Sequence, residues 1–207
     1  VSYIYNRATT HSDLIMTTAY GSGLSLANMG STVAITRTGS WESTADSQPF
    51  PVSMVSEEFH FHTIIKNSDS TWTFLWDLYL NKTVMWGSPA VLSYYDSSDQ
   101  KVGVPGILMV PLKNYLISCA RVSDGQGGYN FTYRLEDLDD SSAAVQTSTT
   151  SGAGYSLQAN PQTWRFGHAS THFKHHMGPF LFCNGTVAAD QENCRAWLRN
   201  AFGSGAS

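Results

Sequence analysis

Charged residues are scarce in this sequence. Asp, Glu, Lys and Arg make up 14% of the 207 residues, whereas about 25% is usual in soluble domains. The 12 Lys and Arg residues are scattered and the formal net charge is −4, so no basic stripe is present to neutralise phosphates. We therefore expect no nucleic-acid partner.

Long hydrophobic runs are also missing. The run GILMVPL (106–112) is among the longest in the chain, and it is far shorter than the roughly 18 residues that cross a bilayer as a helix. We therefore expect no membrane insertion. The chain begins with Val1 and shows no signal peptide, so we expect a processed product or an excised domain.

The common catalytic signatures do not occur. A glycosidase on a β-sandwich needs two carboxylates that converge on one bond, but the five glutamates include no pair two or four positions apart. Asp137 and Asp139 are two apart, yet they lie where a strand gives way to a Ser-rich turn. No Gly-x-Ser-x-Gly elbow, P-loop or dinucleotide fingerprint is present. We expect a protein that is not an enzyme.

Cysteine is rare, with three residues at positions 119, 183 and 194. An odd number allows at most one internal disulfide, and Cys183 with Cys194 is then the expected pair. Three buried thiols are an equally weighted alternative, because free cysteine is among the most buried residue types.

What the sequence does have is a strong period of two. Apolar and polar residues alternate in TVAITRTG, FHFHTII, TWTFLWDLYL and YNFTYRLED, as in half-buried antiparallel strands. Turn-rich segments such as NSDS (67–70) and SDGQGG (123–128) separate these runs. The pattern predicts an all-β fold, a two-sheet antiparallel β-sandwich that forms a single domain over residues 1–207.

One helix is predicted, near the C-terminus. Asp190 and Glu192 make its first turn acidic, and Gly203 ends it, which suits the helix dipole. Its apolar residues at helical spacing are Cys194, Trp197, Leu198 and Phe202. We expect this short helix to cap an edge or an end of the sandwich.

Histidines are concentrated between residues 168 and 176. His168 and His172 are four apart, which on a helix would place two metal ligands on one face. The surrounding Gly167, Gly178 and Pro179 instead favour a loop before the last strand, and no metal site is predicted. His60 and His62 would share one face of a strand. Calcium is an alternative ligand for the acidic turns, at Asp137 with Asp139 or Asp140, or at Asp96 with Asp99.

Four aromatic residues lie in or beside turn-like stretches and are candidate ligand contacts. An aromatic ring next to Asn, Asp or Ser can stack on a sugar and bond its hydroxyls, although most aromatics in a sandwich belong to the core. The candidates are Trp41, Trp86, Tyr94 and Tyr95.

Several segments resemble laminin-G-like, concanavalin A-type lectin-like domains. At the C-terminus the resemblance rests on WRFG (164–167), MGPFLFCN (177–184) and VAAD (187–190) with the following helix. Further back, SEEFHFHTIIKNSDSTWTFLWDL (56–78) and YLISCARVSDGQGGYNFTYRLED (115–137) resemble the paired strands of that family. The resemblance covers about residues 54–203. It implies a jelly-roll of two stacked sheets with a rim of loops that bind glycans or proteins, sometimes with calcium.

These observations predict a non-enzymatic recognition module that binds a glycan or a protein surface through its rim loops. The alternative is a structural, decoration or adhesion protein of a virion or other assembly, in which the chain would form a homo-oligomer or a capsid-like array. A polysaccharide hydrolase or lyase is the least favoured hypothesis. Either favoured function implies an extracellular or virion-surface location, and neither requires a cofactor.

Overall fold

The computed structural model describes residues 3–4, 14–15, 25–36, 39–40, 58–67, 73–78, 81–86, 90–95, 101–150, 172–173 and 175–203. Within these ranges the chain forms fifteen strands and one helix. The strands are β1 (Tyr3–Ile4), β2 (Leu14–Ile15), β3 (Ser25–Met29), β4 (Thr32–Thr36), β5 (Gly39–Ser40), β6 (Phe59–Asn67), β7 (Thr73–Leu78), β8 (Asn81–Trp86), β9 (Ala90–Tyr95), β10 (Lys101–Met109), β11 (Asn114–Ser123), β12 (Tyr129–Asp137), β13 (Gln146–Thr150), β14 (His172–Phe173) and β15 (His175–Asn184), and the helix is α1 (Ala188–Phe202).

Two antiparallel sheets dominate the fold. The larger sheet has seven strands in the order β13-β12-β11-β6-β15-β4-β3, and the smaller has four in the order β10-β9-β8-β7. Strands distant in sequence, such as β6 and β15, are neighbours in the larger sheet, so long connections join its strands. The predicted all-β, jelly-roll β-sandwich with one C-terminal helix is confirmed.

The larger sheet has an aromatic face. Phe59 and Phe61 on β6 alternate with the histidines of that strand, and Phe131 and Tyr133 alternate with polar residues on β12. Phe59 stacks on Phe182 of β15, with ring centroids 5.2 Å apart. All these side chains except the half-buried Phe182 are buried. Such stacked pairs add about 0.5–1.5 kcal/mol each beyond area burial, which explains why the alternating aromatic run forms a central strand.

The opposite side of the larger sheet, the helix face, is covered by α1. The helix contacts β6, the central strand, and its neighbour β11. Leu198 and Phe202 of α1 pack with Ile64 and Leu116 of the sheet and with the β3–β4 hairpin. The helix therefore covers the middle of a face, whereas the sequence predicted a cap at an edge or an end. The reason is that both faces of β6 are buried, so residues 59–65 form one continuous buried run.

The helix itself begins and ends much as predicted. Asp190 lies in its first turn and Arg199 in its last, where each charge opposes the helix dipole. Gly203 follows with a φ of 90° and its amide donates to Arg199 and Asn200, a left-handed ending that glycine favours. Trp197, expected in the apolar stripe, is 49% exposed, because it lies about 100° around the helix from the buried Leu198.

The histidine-rich segment differs from its prediction. His168 lies outside the described residues, His172 belongs to β14, and His175 and His176 begin β15. The register of β15 against β6 shifts between Met177 and Phe180. Gly178 and Pro179 therefore form a bulge inside the last strand rather than a turn before it. Proline has no amide hydrogen, which suits the unpaired residue of a bulge.

Candidate functional site

Three of the four aromatic ligand candidates belong to the described part of the chain. Trp41 lies outside the described residues. Trp86 ends β8 opposite Val91, while Tyr94 and Tyr95 are the last residues of β9, opposite Val102 and Lys101 of β10. Three of the four therefore belong to strands of the smaller sheet, not to turns. Their role as ligand contacts stays a prediction.

A buried histidine pair occupies the helix face. His60 and His62 point to the same side of β6, and the Nδ1 atom of His60 lies 2.7 Å from Nε2 of His62. The Nδ1 atom of His62 lies 2.7 Å from the Ser118 hydroxyl oxygen on the neighbouring strand. One consistent arrangement has each ring donate from Nδ1, towards His62 and then Ser118. It leaves Nε2 of His60 with a free lone pair.

Both histidines are neutral in this environment. Burial lowers the pKa of His62 to about 3, with further contributions from His60 and Arg195. Burial also lowers the pKa of His60, which nearby Asp190 partly counteracts. A buried imidazolium would need a compensating charge, and the hydrogen-bond chain supplies only neutral partners. In this arrangement Nε2 of neutral His60 is available as a lone-pair donor, whereas both ring nitrogens of His62 are engaged.

Two cysteines adjoin His60. Cys183 stands directly opposite His60 on the adjacent strand β15, and Cys194 reaches the same point from α1. Both thiols are free, and their sulfur atoms are 3.7 Å apart. One ligand atom from each of His60, Cys183 and Cys194 lies within 4.8 Å of the others. In the described part of the chain, this is the one group of His, Cys, Asp or Glu side chains close enough to share a metal ion.

Of the two alternatives predicted for the cysteines, the structure shows three free thiols and no disulfide; Cys119 is buried, whereas Cys183 and Cys194 are partly buried and lie next to each other. Burial, together with Cys183, raises the pKa of Cys194 to about 12. Its thiol is therefore protonated at neutral pH and a weak nucleophile, since the thiolate is the reactive form. Nothing in this arrangement resembles an activated catalytic cysteine.

Charged residues around the cluster fasten the helix to the sheet. Glu136 of β12 accepts hydrogen bonds from Arg199 of α1 at 2.8 and 3.0 Å and from Arg134 at 2.9 Å. Arg195 lies 3.9 Å from Glu136 and pairs with Glu192 at 2.9 Å. Burial opposes the charge of Glu136, but the bonds from Arg199 and Arg134 outweigh it and lower the pKa of the carboxyl. The network holds α1 over the histidine pair.

A second feature lies at the rim, where β10 turns into β11. The apolar tip, which we define as Leu108, Val110, Leu112 and Val145, consists of large hydrophobic side chains that are 43–62% exposed. Leu112 is the most exposed of them and has a φ of 69°. This left-handed conformation costs a non-glycine residue roughly 1–2 kcal/mol. Strain of this kind persists where the surrounding structure holds it in place.

The surrounding structure does hold the apolar tip. The side-chain amide of Gln146 accepts from the Leu108 amide at 2.7 Å and donates to the Leu108 carbonyl at 3.1 Å. The Val110 amide donates to the Tyr115 hydroxyl at 2.9 Å, and Lys113 pairs with Asp137 at 2.5 Å. These bonds present the exposed side chains on a fixed backbone.

In the acidic turn next to the apolar tip, the carboxylates accept hydrogen bonds from nearby groups of the same chain. Asp139 accepts from the backbone amide and the side chain of Asn114, both at 2.7 Å. Asp140 accepts from the Ser142 amide and hydroxyl, and Asp137 accepts from Lys113 and the Asp139 amide. These bonds shape the turn. Asp96 and Asp99 lie outside the described residues, and calcium binding at either place stays a prediction.

Comparison with known proteins addresses the fold. No family model matches the chain, and no curated protein matches its sequence. Among solved structures, the binding domain of Paraclostridial Mosquitocidal Protein 1 is similar over 95% of this chain and 50% of that one, with 10% identity and a TM-score of 0.54. At that identity the similarity shows a shared fold alone.

Two further structures are similar at lower scores. The LG1-3 region of the laminin alpha2 chain covers 73% of this chain at 16% identity and a TM-score of 0.48, and this chain spans 32% of that region. The PL-14 alginate lyase from Aplysia kurodai covers 88% of this chain at 8% identity and a TM-score of 0.44, and 87% of the lyase is matched. At these scores neither similarity carries an argument; the predicted β-sandwich is supported by the strand order of the two sheets and by the similarity to the binding domain.

The structure confirms that His60 and His62 share one face of a strand, and it adds that Cys183 and Cys194 adjoin His60. The signal was present in the run FHFH, which places two histidines on one strand face. What the sequence did not show was that FHFH pairs with the FLFCN segment, since their separation of about 120 residues leaves strand pairing undetermined.

Proposed function

We propose that this chain is a non-enzymatic recognition module that binds a protein surface through the apolar tip. The proposal rests on the exposure of Leu112, a large apolar side chain that is 62% exposed on a backbone in the left-handed conformation. An exposed leucine in that conformation stabilises neither the core nor the turn. Exposed apolar groups on a fixed backbone are what a protein partner buries.

The composition of the tip favours a protein over a glycan. Sugar sites combine an aromatic platform with polar groups, whereas the tip offers aliphatic side chains only. If the chain binds a glycan instead, the candidate contacts are Trp41, Trp86, Tyr94 and Tyr95. The same sandwich serves as a binding domain in Paraclostridial Mosquitocidal Protein 1. An extracellular or virion-surface location is part of the proposal, and the described residues contain no helix long and apolar enough to span a membrane.

The test uses a photo-crosslinking amino acid in place of Leu112 in the full chain. Incubation with an extract of the source, or with its virions or extracellular fraction, should give a specific adduct that mass spectrometry identifies. A chain that carries the same amino acid at Gln126, an exposed position in the turn at the opposite end of the β11–β12 pair, is the control. The identified protein is then purified and its Kd measured by calorimetry.

Two variants separate binding from stability. Leu112→Asn introduces a residue that tolerates a left-handed backbone better than leucine does, so we expect an unchanged or slightly raised melting temperature. Because the variant removes the apolar side chain, we also expect a loss of affinity of about tenfold or more. Asn193→Ala on the exposed side of α1 should not change the affinity. No adduct at Leu112, or full affinity in Leu112→Asn, contradicts the proposal. Saturable binding on a glycan array that Leu112→Asn does not change would establish the glycan alternative instead.

A further inference from the structure

We propose that His60, Cys183 and Cys194 form a binding site for Zn²⁺ that joins α1 to the larger sheet. The site is distinct from the apolar tip, so this inference is independent of the proposed recognition function. It rests on the mutual placement of three ligand atoms, on a hydrogen-bond chain that orients the histidine, and on the origin of the ligands in three different elements.

The spacing of the sulfur atoms fits a tetrahedral metal site. Zinc–thiolate bonds of about 2.3 Å at a tetrahedral angle place two sulfurs roughly 3.8 Å apart. The Cys183 and Cys194 sulfurs are 3.7 Å apart, whereas a disulfide would need about 2.05 Å. Because all three ligand atoms lie within 4.8 Å of one another, one ion can reach them with small side-chain rotations. Imidazole and thiolate together are a preferred ligand set for zinc.

The histidine is oriented as metal ligands usually are. A ligating histidine donates its second ring nitrogen to an acceptor that fixes its tautomer and direction. Here Nδ1 of His60 is held by His62, and His62 is held in turn by Ser118. Because Nδ1 is engaged with His62, Nε2 is the ring nitrogen of His60 that remains to bind a metal ion.

Zinc binding leaves the net charge of the site unchanged. Zn²⁺ replaces the protons of the two cysteine thiols, and these two protons are released to solvent. The fourth position is left to water, because no carboxylate belongs to the group of ligand atoms that lie within 4.8 Å of one another. Arg195 opposes a cation here, but its guanidinium is paired with Glu192 and adjoins Glu136. Cys183 and Cys194 are only partly buried, so solvent ions have access.

The experiment titrates the reduced, metal-free full chain with Zn²⁺ against a chromophoric chelator, and with Co²⁺ for its spectrum. We expect one ion per chain, a sulfur-to-cobalt charge-transfer band, and visible bands of tetrahedral intensity. Cys183→Ala and Cys194→Ala should each weaken zinc binding by about 100-fold or more and diminish the charge-transfer band.

Cys119→Ala is the matched control. This third cysteine is buried on the aromatic face, in register with Phe61 rather than with His60, so its loss should leave zinc affinity and spectrum unchanged. Zinc should also raise the melting temperature of the wild type and of Cys119→Ala, but not of Cys194→Ala, whose folding is checked in chelator by circular dichroism. The proposal is overturned if the fully reduced wild type binds no zinc, as when the cysteines serve only as a disulfide, or if Cys194→Ala binds it equally well.

Discussion

At the scale of single residues, the helix face shows how a polar group is accommodated in a core. His62 and Ser118 are both buried, and each satisfies the other across the β6–β11 pair with a hydrogen bond of 2.7 Å. In the unfolded chain the same groups would form hydrogen bonds with water, so the net contribution of this hydrogen bond to folding stability is modest. The penalty for leaving one of them without a partner is larger, because the solvent cannot reach it.

Substitution of Ser118 by Ala tests this asymmetry. The change removes the partner of His62 Nδ1 and should lower the free energy of unfolding by about 1–3 kcal/mol, measured by urea denaturation. The exposed pair Thr132–Thr149, whose hydroxyls are 3.0 Å apart, provides the control. There Thr149→Ala should change stability by less than about 0.5 kcal/mol. Equal losses of stability in the two variants would show that the buried hydrogen bond contributes no more to stability than the exposed one.

At the scale of elements, local patterns in the sequence predicted several of the longer strands and the helix. The runs TVAIT, FHFHTII and YNFTYRLED each form one strand in the structure, because their alternation records which side chains are buried. Where burial was two-sided, alternation misled: Glu136 belongs to the polar half of YNFTYRLED, yet it is buried under α1. The candidate site depends on pairings between β6, β15 and α1, which no local pattern encodes.

The end of α1 against the β3–β4 hairpin is another contact between distant elements. Gly30 has a φ of 57°, and a Cβ atom there would lie 2.3 Å from the carbonyl oxygen of Phe202. The amide of Ser31 donates to that same oxygen at 2.8 Å. Only a residue without a side chain lets the hairpin approach the helix this closely.

We therefore expect Gly30→Ala to lower the free energy of unfolding by about 2–4 kcal/mol, the sum of backbone strain and a backbone clash. Gly125→Ala is the control, because Gly125 also has a positive φ, of 73°, but its Cβ would meet no atom within 4 Å. That variant should lose only the roughly 1–2 kcal/mol of strain. Thermal unfolding of both variants decides the matter, and similar losses would mean that the helix end moves away at little cost.

At the scale of the whole molecule, the larger sheet is buried on both faces along its central strands β6 and β11, so polar residues buried in this region must find partners inside the protein. Glu136 is the clearest case: it is 8% exposed and is bonded by Arg134 and Arg199. Since these bonds connect β12 to the helix, the ionisation of one carboxyl is linked to the attachment of α1 and hence to global stability.

The sign of the resulting pH dependence follows from the lowered pKa of Glu136. Burial would raise that pKa, but hydrogen bonds from Arg199 and Arg134 place it below the ordinary value of 4.5. A carboxyl with a lower pKa in the folded state stabilises the protein above its unfolded pKa, and this stabilisation is lost as the pH falls through the folded value. At neutral pH the contribution is complete.

Glu136→Gln should therefore lower the free energy of unfolding by about 1–3 kcal/mol at pH 7 and by progressively less as the pH is lowered below 4.5, the ordinary pKa of this carboxyl. Denaturant unfolding between pH 3 and pH 7 measures the difference between wild type and variant. Glu192, whose side chain is 51% exposed in the same network, is the comparison, because solvent screens its interactions. We expect Glu192→Gln to cost less and to depend more on salt; a difference between wild type and Glu136→Gln that stays constant with pH would refute the linkage between this carboxyl and the docking of α1.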